Sequence, residues 1–188
     1  MSKTIPMSRR ITPFQLIIMG FAGVILLGAL VLMLPLSTRS GTVIPFGDAL
    51  FTATSAVCVT GLVVQDTASY WSGFGQAVIL LLIQIGGLGV ITVAASFALL
   101  SGRKISLMQR SAMQEAIAAP QMGGIVRLTG FILRMTLTIE VIGALVMLPV
   151  FCHDYGARGV WMAVFHSISA FCNAGFDLMG TQEAPYVS

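Results

Sequence analysis

The polar positions of this chain are so sparse that their order outlines its elements. Phe14 to Leu36 holds no ionised residue over 23 positions. A helix of that length crosses a bilayer core of ~30 Å at ~1.5 Å rise per residue. Pro35 lies near its far end, where a helix can stop. Phe46 to Val57 is helical in type, but its 12 residues are too few to span. A second span is predicted from about Phe74 to Leu100. The polar stretch Ser101–Arg127 follows, with a helix expected near Ser106–Ala119. There the apolar pairs Leu107/Met108, Ala112/Met113 and Ala116/Ile117 recur every four to five residues. A third span runs from about Leu128 to Phe151, and a second short helix from Val160 to Phe171. The pattern is span, short helix, glycine turn, span, and then span, short helix, glycine turn again.

The two short helices run into similar segments, FTATSAVCVTGL (Phe51 to Leu62) and FHSISAFCNAGF (Phe165 to Phe176). An offset of 114 pairs Phe51 with Phe165, Ser55 with Ser169, Ala56 with Ala170, Cys58 with Cys172 and Gly61 with Gly175. The chain therefore divides into an N-terminal segment (1–13), a first unit (14–100), a connector (101–127) and an incomplete second unit (128–188).

Composition narrows the class. The chain is 56% hydrophobic and 9% charged, with mean hydropathy +0.93. Soluble domains carry about 25% charged residues, so the expected class is an all-α integral membrane protein. The net charge of +3 is small and points to no nucleic-acid partner. Lys and Arg set the orientation. Lys3, Arg9 and Arg10 lie before the first span, and Arg103, Lys104, Arg110 and Arg127 in the connector. Only Arg39 and Arg158 fall on the other side. The N-terminus and connector are expected in the cytoplasm, and the glycine turns then enter from outside. The first apolar run lacks a small-residue cleavage site and reads as a mature span. Cys58, Cys152 and Cys172 form no CxxC pair and match no zinc spacing; they read as packing residues.

Non-helical backbone at membrane depth survives only when protein buries it or when it lines a watery cavity. A turn such as Cys58-Val59-Thr60-Gly61 leaves carbonyls without helical partners. A dehydrated cation can take their place, because rings of backbone carbonyls substitute for its hydration shell. Glycine permits the positive φ that turns carbonyls toward one axis. The negative C-terminal end of the preceding short helix favours a cation at the same place. The packing-only alternative makes Gly61 a helix C-cap.

These residues carry a resemblance. FTATSAVCVTGL, LLIQIGGLG (Leu81 to Gly89) and FHSISAFCNAGF resemble the pore subunit of the Ktr/Trk/HKT potassium-transporter superfamily. The start directly at Phe14 is more similar to the Ktr type than to the Trk type. The resemblance implies repeated M1–P–M2 units (span, re-entrant pore helix, span), four per chain around one pore. Repeats three and four are absent here. It implies a potassium selectivity filter with Cys58, Val59, Thr60 and Gly61 in one strand and Cys172, Asn173, Ala174 and Gly175 in another. The implied function is potassium uptake, with K+ as the transported ion at those residues, Na+ as a candidate coupling or activating ion, and no covalently bound cofactor. The implied setting is the bacterial cytoplasmic membrane, as a multi-pass homodimer on a cytoplasmic ring of nucleotide-binding, RCK-type subunits. Arg103, Lys104 and Arg110 are the candidate contacts to that ring; an interfacial helix on anionic lipid is the alternative use of the same charges.

The remaining chemistry is thin. Arg134 and Glu140 lie inside the third span, six residues apart and so about 240° around a helix, too far to pair directly. Such charges face protein or water, and each is expected to pair with another repeat. Gly86-Gly87-Leu88-Gly89 sits mid-span without a preceding strand, so it reads as close helix packing and not as a nucleotide loop. His166 with Cys172 is the only constellation that suits an intramembrane hydrolase. Its match at Thr52 does not fit that chemistry, and no enzymatic activity is expected. His153 reads as an outer loop residue. Asp48, Asp66, Asp154, Asp177 and Glu183 read as solvated outer charges. Three competing functions remain: a one-repeat tetrameric channel, which predicts one filter per chain where this chain has the unequal CVTG and CNAG, that hydrolase, and a non-transporting fragment.

Overall fold

The computed structural model describes residues 12–89, 92–93, 107–116 and 125–181. Among them every regular element is helical; the one β-type contact is an isolated bridge between Thr38 and Trp71. The N-terminal segment carrying Lys3, Arg9 and Arg10, most of the predicted end of the second span, and Arg103, Lys104 and Glu183 lie outside the described residues.

Helix α1 spans Pro13–Leu32. A capping box starts it: Gln15 N–H donates to Thr12 Oγ1, and Thr12 N–H to Gln15 Oε1. It ends before the predicted Leu36. Leu34 precedes Pro35, which disfavours helical backbone at that residue, and Leu34 is extended (φ −61°, ψ 139°). A 3-10 turn, Pro35–Ser37, then leads outward. Helix α2 covers Phe46–Val57, as the sequence pattern predicts.

Helix α3 spans Gly73–Leu88 and departs from expectation at its end. The sequence pattern predicts a second span to about Leu100. Instead Gly89, at φ 82°, closes the helix after 16 residues. That length covers only ~24 Å, less than a bilayer core. Helix α4, Leu107–Ala116, is the described part of the predicted connector helix; Arg110 sits on it, its side chain outside the described residues.

Helix α5, Ile125–Tyr155, is longer than the predicted third span at both ends. Pro149, at an offset of 114 from Pro35, lies inside it. The same residue type thus sits just past the end of one helix and within the other. His153 belongs to the last turn of α5, not to a loop. Helix α6, Arg158–Phe171, returns from a tight corner at Gly156 (φ 61°). The corner is close: a β-carbon on Gly159 would overlap the Phe151 carbonyl.

Among the described residues two helices are long and apolar enough to cross a membrane, Phe14–Leu32 and Arg127–Tyr155. Their outward faces are apolar and exposed, with Leu26, Leu27 and Leu30 on one and Leu145, Val146 and Val150 on the other. The protein core lies between α2, α3 and α6. Ala49, Ala53, Ala56 and Val57 meet Ile79, Leu82 and Ile83, together with Met162, Ala163 and Phe165. Small residues on the short helices permit this approach.

Gln76 ties the two halves of the chain. Its amide donates to the carbonyls of Thr67 (3.2 Å) and Trp71 (3.3 Å), and its oxygen accepts from Trp161 Nε1–H of α6 (3.0 Å). Trp71 and Gln76 are both buried.

Candidate functional site: two facing glycine turns

Each short helix ends in the same hydrogen-bonded turn. After α2, Val59 N–H donates to Ala56 O (3.3 Å) and Thr60 N–H to Ser55 O (2.9 Å). After α6, Asn173 N–H donates to Ala170 O (3.0 Å) and Ala174 N–H to Ser169 O (2.7 Å). These paired bonds are a Schellman ending, which needs one left-handed residue after the helix. That residue is Val59 in one turn and Asn173 in the other, each at φ 56°. Gly61 is therefore not the capping glycine of the packing-only reading; it lies two residues beyond the left-handed position. It has a positive φ of its own, 75°, and Gly175 matches it at 72°.

The endings use up the last helical carbonyls and leave the following ones free. Among the described residues no donor reaches the carbonyls of Cys58, Val59, Thr60 and Gly61, or those of Cys172, Asn173, Ala174 and Gly175. The side chains around them are bonded inward. Thr60 Oγ1–H donates to Ser55 Oγ (2.9 Å), and Ser169 Oγ–H to Phe176 O (2.6 Å). Ser55 and Ser169 are both buried.

The two turns face each other backbone to backbone. A β-carbon on Gly61 would lie 2.7 Å from Ala174 O and 3.0 Å from Gly175 Cα. One on Gly175 would lie 3.2 Å from Gly61 Cα. The structure thus brings Gly61, Ala174 and Gly175 into one place, although 114 residues separate the glycines.

The Gly86-Gly87 pair seats this assembly from behind. A β-carbon on Gly86 would overlap the Val57 carbonyl at the end of α2. One on Gly87 would meet Cys172 Sγ at 2.5 Å. The sequence signals close packing here, but not that the packed partners are the bases of the two turns.

A family model described as "Cation transport protein", TrkH, matches residues 4–188. The chain belongs to the TrkH family. Similar curated proteins include the potassium/sodium uptake protein NtpJ of Enterococcus hirae, 46% identical over 92% of this chain and 38% of its own length. The Ktr system potassium uptake protein B of Bacillus subtilis is 44% identical over 95% of this chain and 40% of its own length. That of Vibrio alginolyticus is 38% identical over 93% and 38%. The chain spans about two fifths of the length of these relatives. Family and apolar helices together make it an all-α, multi-pass membrane protein.

TrkH proteins are transporters, not enzymes, and the geometry of His166 agrees. Its Nδ1 faces Met162 O (2.8 Å), so that nitrogen carries the proton, and its Nε2 accepts Leu178 N–H (3.2 Å). Both nitrogens are committed, so the ring has none left to act as a base for a Cys172 nucleophile. Thr52, at the matched position, makes the same backward bond, to Asp48 O (2.9 Å). All three cysteines are free.

Of the charges read from the sequence, Asp66 departs from expectation, while Asp154 lies in solvent and Glu140 pairs with the other repeat as expected. Asp66 is buried, not solvated, and its carboxylate accepts from Ser69 N–H (2.7 Å) and Ser69 Oγ–H. Asp177 accepts Met179 N–H (2.8 Å), and Asp154 pairs with His153 in solvent (2.8 Å). Arg134 is exposed on α5 while Glu140 is buried. Glu140 accepts from Gln84 Nε2–H at 2.9 and 3.1 Å. Gln84 lies on α3, so this contact joins the two halves of the chain.

Proposed function

We propose that this chain supplies two of the backbone-carbonyl strands of a potassium selectivity filter, in a Ktr-type uptake protein. The single observation that carries this reading is the pair of identical turns, each with free carbonyls and alternating φ, meeting at Gly61 and Gly175. The φ sign reverses from Val59 to Thr60 and again at Gly61. Such alternation lets successive carbonyls point to one side of the strand, where they can replace the water around a cation. The C-terminal ends of α2 and α6 point at the same place, and their partial negative charge favours a cation over an anion.

In this reading α1 and α5 are the first spans of two M1–P–M2 units, α2 and α6 the pore helices, and α3 the start of a second span. Gly89, at positive φ, ends its first helical segment at Leu88. The filter strands are Cys58–Gly61 and Cys172–Gly175, with K+ as cargo. The names of the relatives at 44–46% identity, which refer to potassium or potassium/sodium uptake, support the ion assignment. The bias of Lys and Arg places the N-terminus and α4 in the cytoplasm. There a ring of regulatory subunits meets Arg103, Lys104 and Arg110, and the assembly is a homodimer in the bacterial cytoplasmic membrane.

The test is uptake. A transport-competent protein that carries this sequence, expressed in cells lacking potassium uptake, should restore growth at low potassium and take up rubidium in preference to sodium. Absence of rubidium uptake from a protein present in the membrane would refute the function.

A further inference from the structure

Glu140 has no counterpart in the first half of the chain. At the offset of 114 its match is Leu26, and the match of its neighbour Ser167 is Ala53. It is a buried carboxylate in the middle of a helix long enough to span a membrane. Such a group is costly to keep there, and intramembrane carboxylates are rare and commonly mark functional positions.

Glu140 joins three helices. Its backbone carbonyl accepts Ser167 Oγ–H of α6 at 2.6 Å. Both its carboxylate oxygens accept from the Gln84 amide of α3. Gln84 Oε1 is buried without a partner among the described residues, so within them the carboxylate alone orients this amide. Two and three residues beyond Gln84 stand Gly86 and Gly87, which seat Val57 and Cys172, the bases of the two turns. Ser167 lies five residues before Cys172 on the same helix and its turn. Glu140 thus grips the second turn's helix with its backbone and the surface behind both turns with its side chain.

We infer that Glu140 and Gln84 are a positioning pair for ion selectivity, whose clasp sets where α3 presents Gly86 and Gly87 to the two glycine turns. Neither side chain touches the ion. Their effect passes through backbone packed so closely that no β-carbon fits, so a small shift of α3 moves the carbonyls themselves. A carbonyl cage discriminates between cations by the number and placement of its oxygens. The inference rests on the filter reading above.

The experiment uses a transport-competent protein that carries this sequence, with rubidium and sodium uptake, KM for potassium and membrane abundance measured together. Glu140→Leu installs the residue of the matched position. It should lower the rubidium-over-sodium preference roughly tenfold, the effect of leaving the buried Gln84 amide without its acceptor, at unchanged abundance. Glu140→Gln still offers the Gln84 amide an acceptor and should stay within about twofold of the parent. Gln84→Glu sets two carboxylates together and should lose selectivity. The double variant Gln84→Glu/Glu140→Gln restores a donor and an acceptor in reversed order and should recover it. The double variant also tests the pair if Glu140→Leu fails to fold. Failure of the swap to recover selectivity, in protein that reaches the membrane, overturns the inference. So does a Glu140→Gln variant as impaired as Glu140→Leu, which would make the charge itself the agent. Reduced abundance or maximal rate with unchanged selectivity and KM would mean mere structural support, and also overturns it. A parent without uptake refutes the filter reading first and this inference with it.

Discussion

Val59 holds a backbone conformation that β-branched residues avoid. Its φ of 56° lies in the left-handed region, where the branched side chain crowds the following carbonyl. Asn173, at the matched position, tolerates the same φ better because its short polar side chain can bond locally. Val59→Asn should therefore relieve strain of ~1 kcal/mol and raise the thermal midpoint of the detergent-solubilised protein. A lowered midpoint would show that the packing of Val59 against the core outweighs its strain. The sequence does not announce this position: nothing in Cys58-Val59-Thr60 favours a left-handed valine, whereas Gly61 and Gly175 are readable as positive-φ sites from glycine and the offset alone. Glu140 is legible only as an expensive charge. Its partner Gln84 lies 56 residues away on a helix whose facing no periodicity defines, so three-dimensional placement was needed to find it.

At the scale of elements, the short helices were the most legible, because turn residues bound them on both sides. Phe46–Val57 matches the prediction, and Arg158–Phe171 begins two residues early. The ends of the spans are less legible because continuous apolarity marks none. Leu34-Pro35 stops α1 four residues short of Leu36, Gly89 stops α3 within an apolar run, and α5 continues through Pro149. The GGLG cluster was legible as close packing, and its two glycines differ in what they face. Gly86 abuts backbone, which cannot withdraw, while Gly87 abuts the Cys172 side chain. Gly86→Ala should thus abolish accumulation of folded protein. Gly87→Ala should cost a few kcal/mol through overpacking, ~1–3 by analogy with enlarged core residues, and Cys172→Ala in the same molecule should recover part of that by removing Sγ. Thermal midpoints of Gly87→Ala, Cys172→Ala, the double variant and the parent complete the cycle. Additive effects would mean that Gly87 and Cys172 do not share the space.

Across the whole molecule, two chain segments 114 residues apart converge on one backbone surface, held by Gln76–Trp161 on one contact and Gln84–Glu140 on another. The proposed orientation sets this surface facing outward. Single-cysteine labels at Ser40 and Gly156, on a background lacking Cys58, Cys152 and Cys172, should react with impermeant reagent from outside, and a label at Ala118 only after permeabilisation. External reaction at Ala118 would reverse the topology. In the proposed function the two turns make one cation filter. Gly61 and Gly175 each hold positive φ and each face the other's backbone, so any side chain there is strained and directed into the shared space. The most direct test is the rubidium-to-sodium uptake ratio of a transport-competent protein carrying Gly61→Ser, Gly175→Ser or both. Each single variant should show a clear fall in the ratio, with a double variant less impaired than the product of the two, because contacting residues couple. An unchanged ratio in both single variants, in protein present at parental abundance, would contradict it.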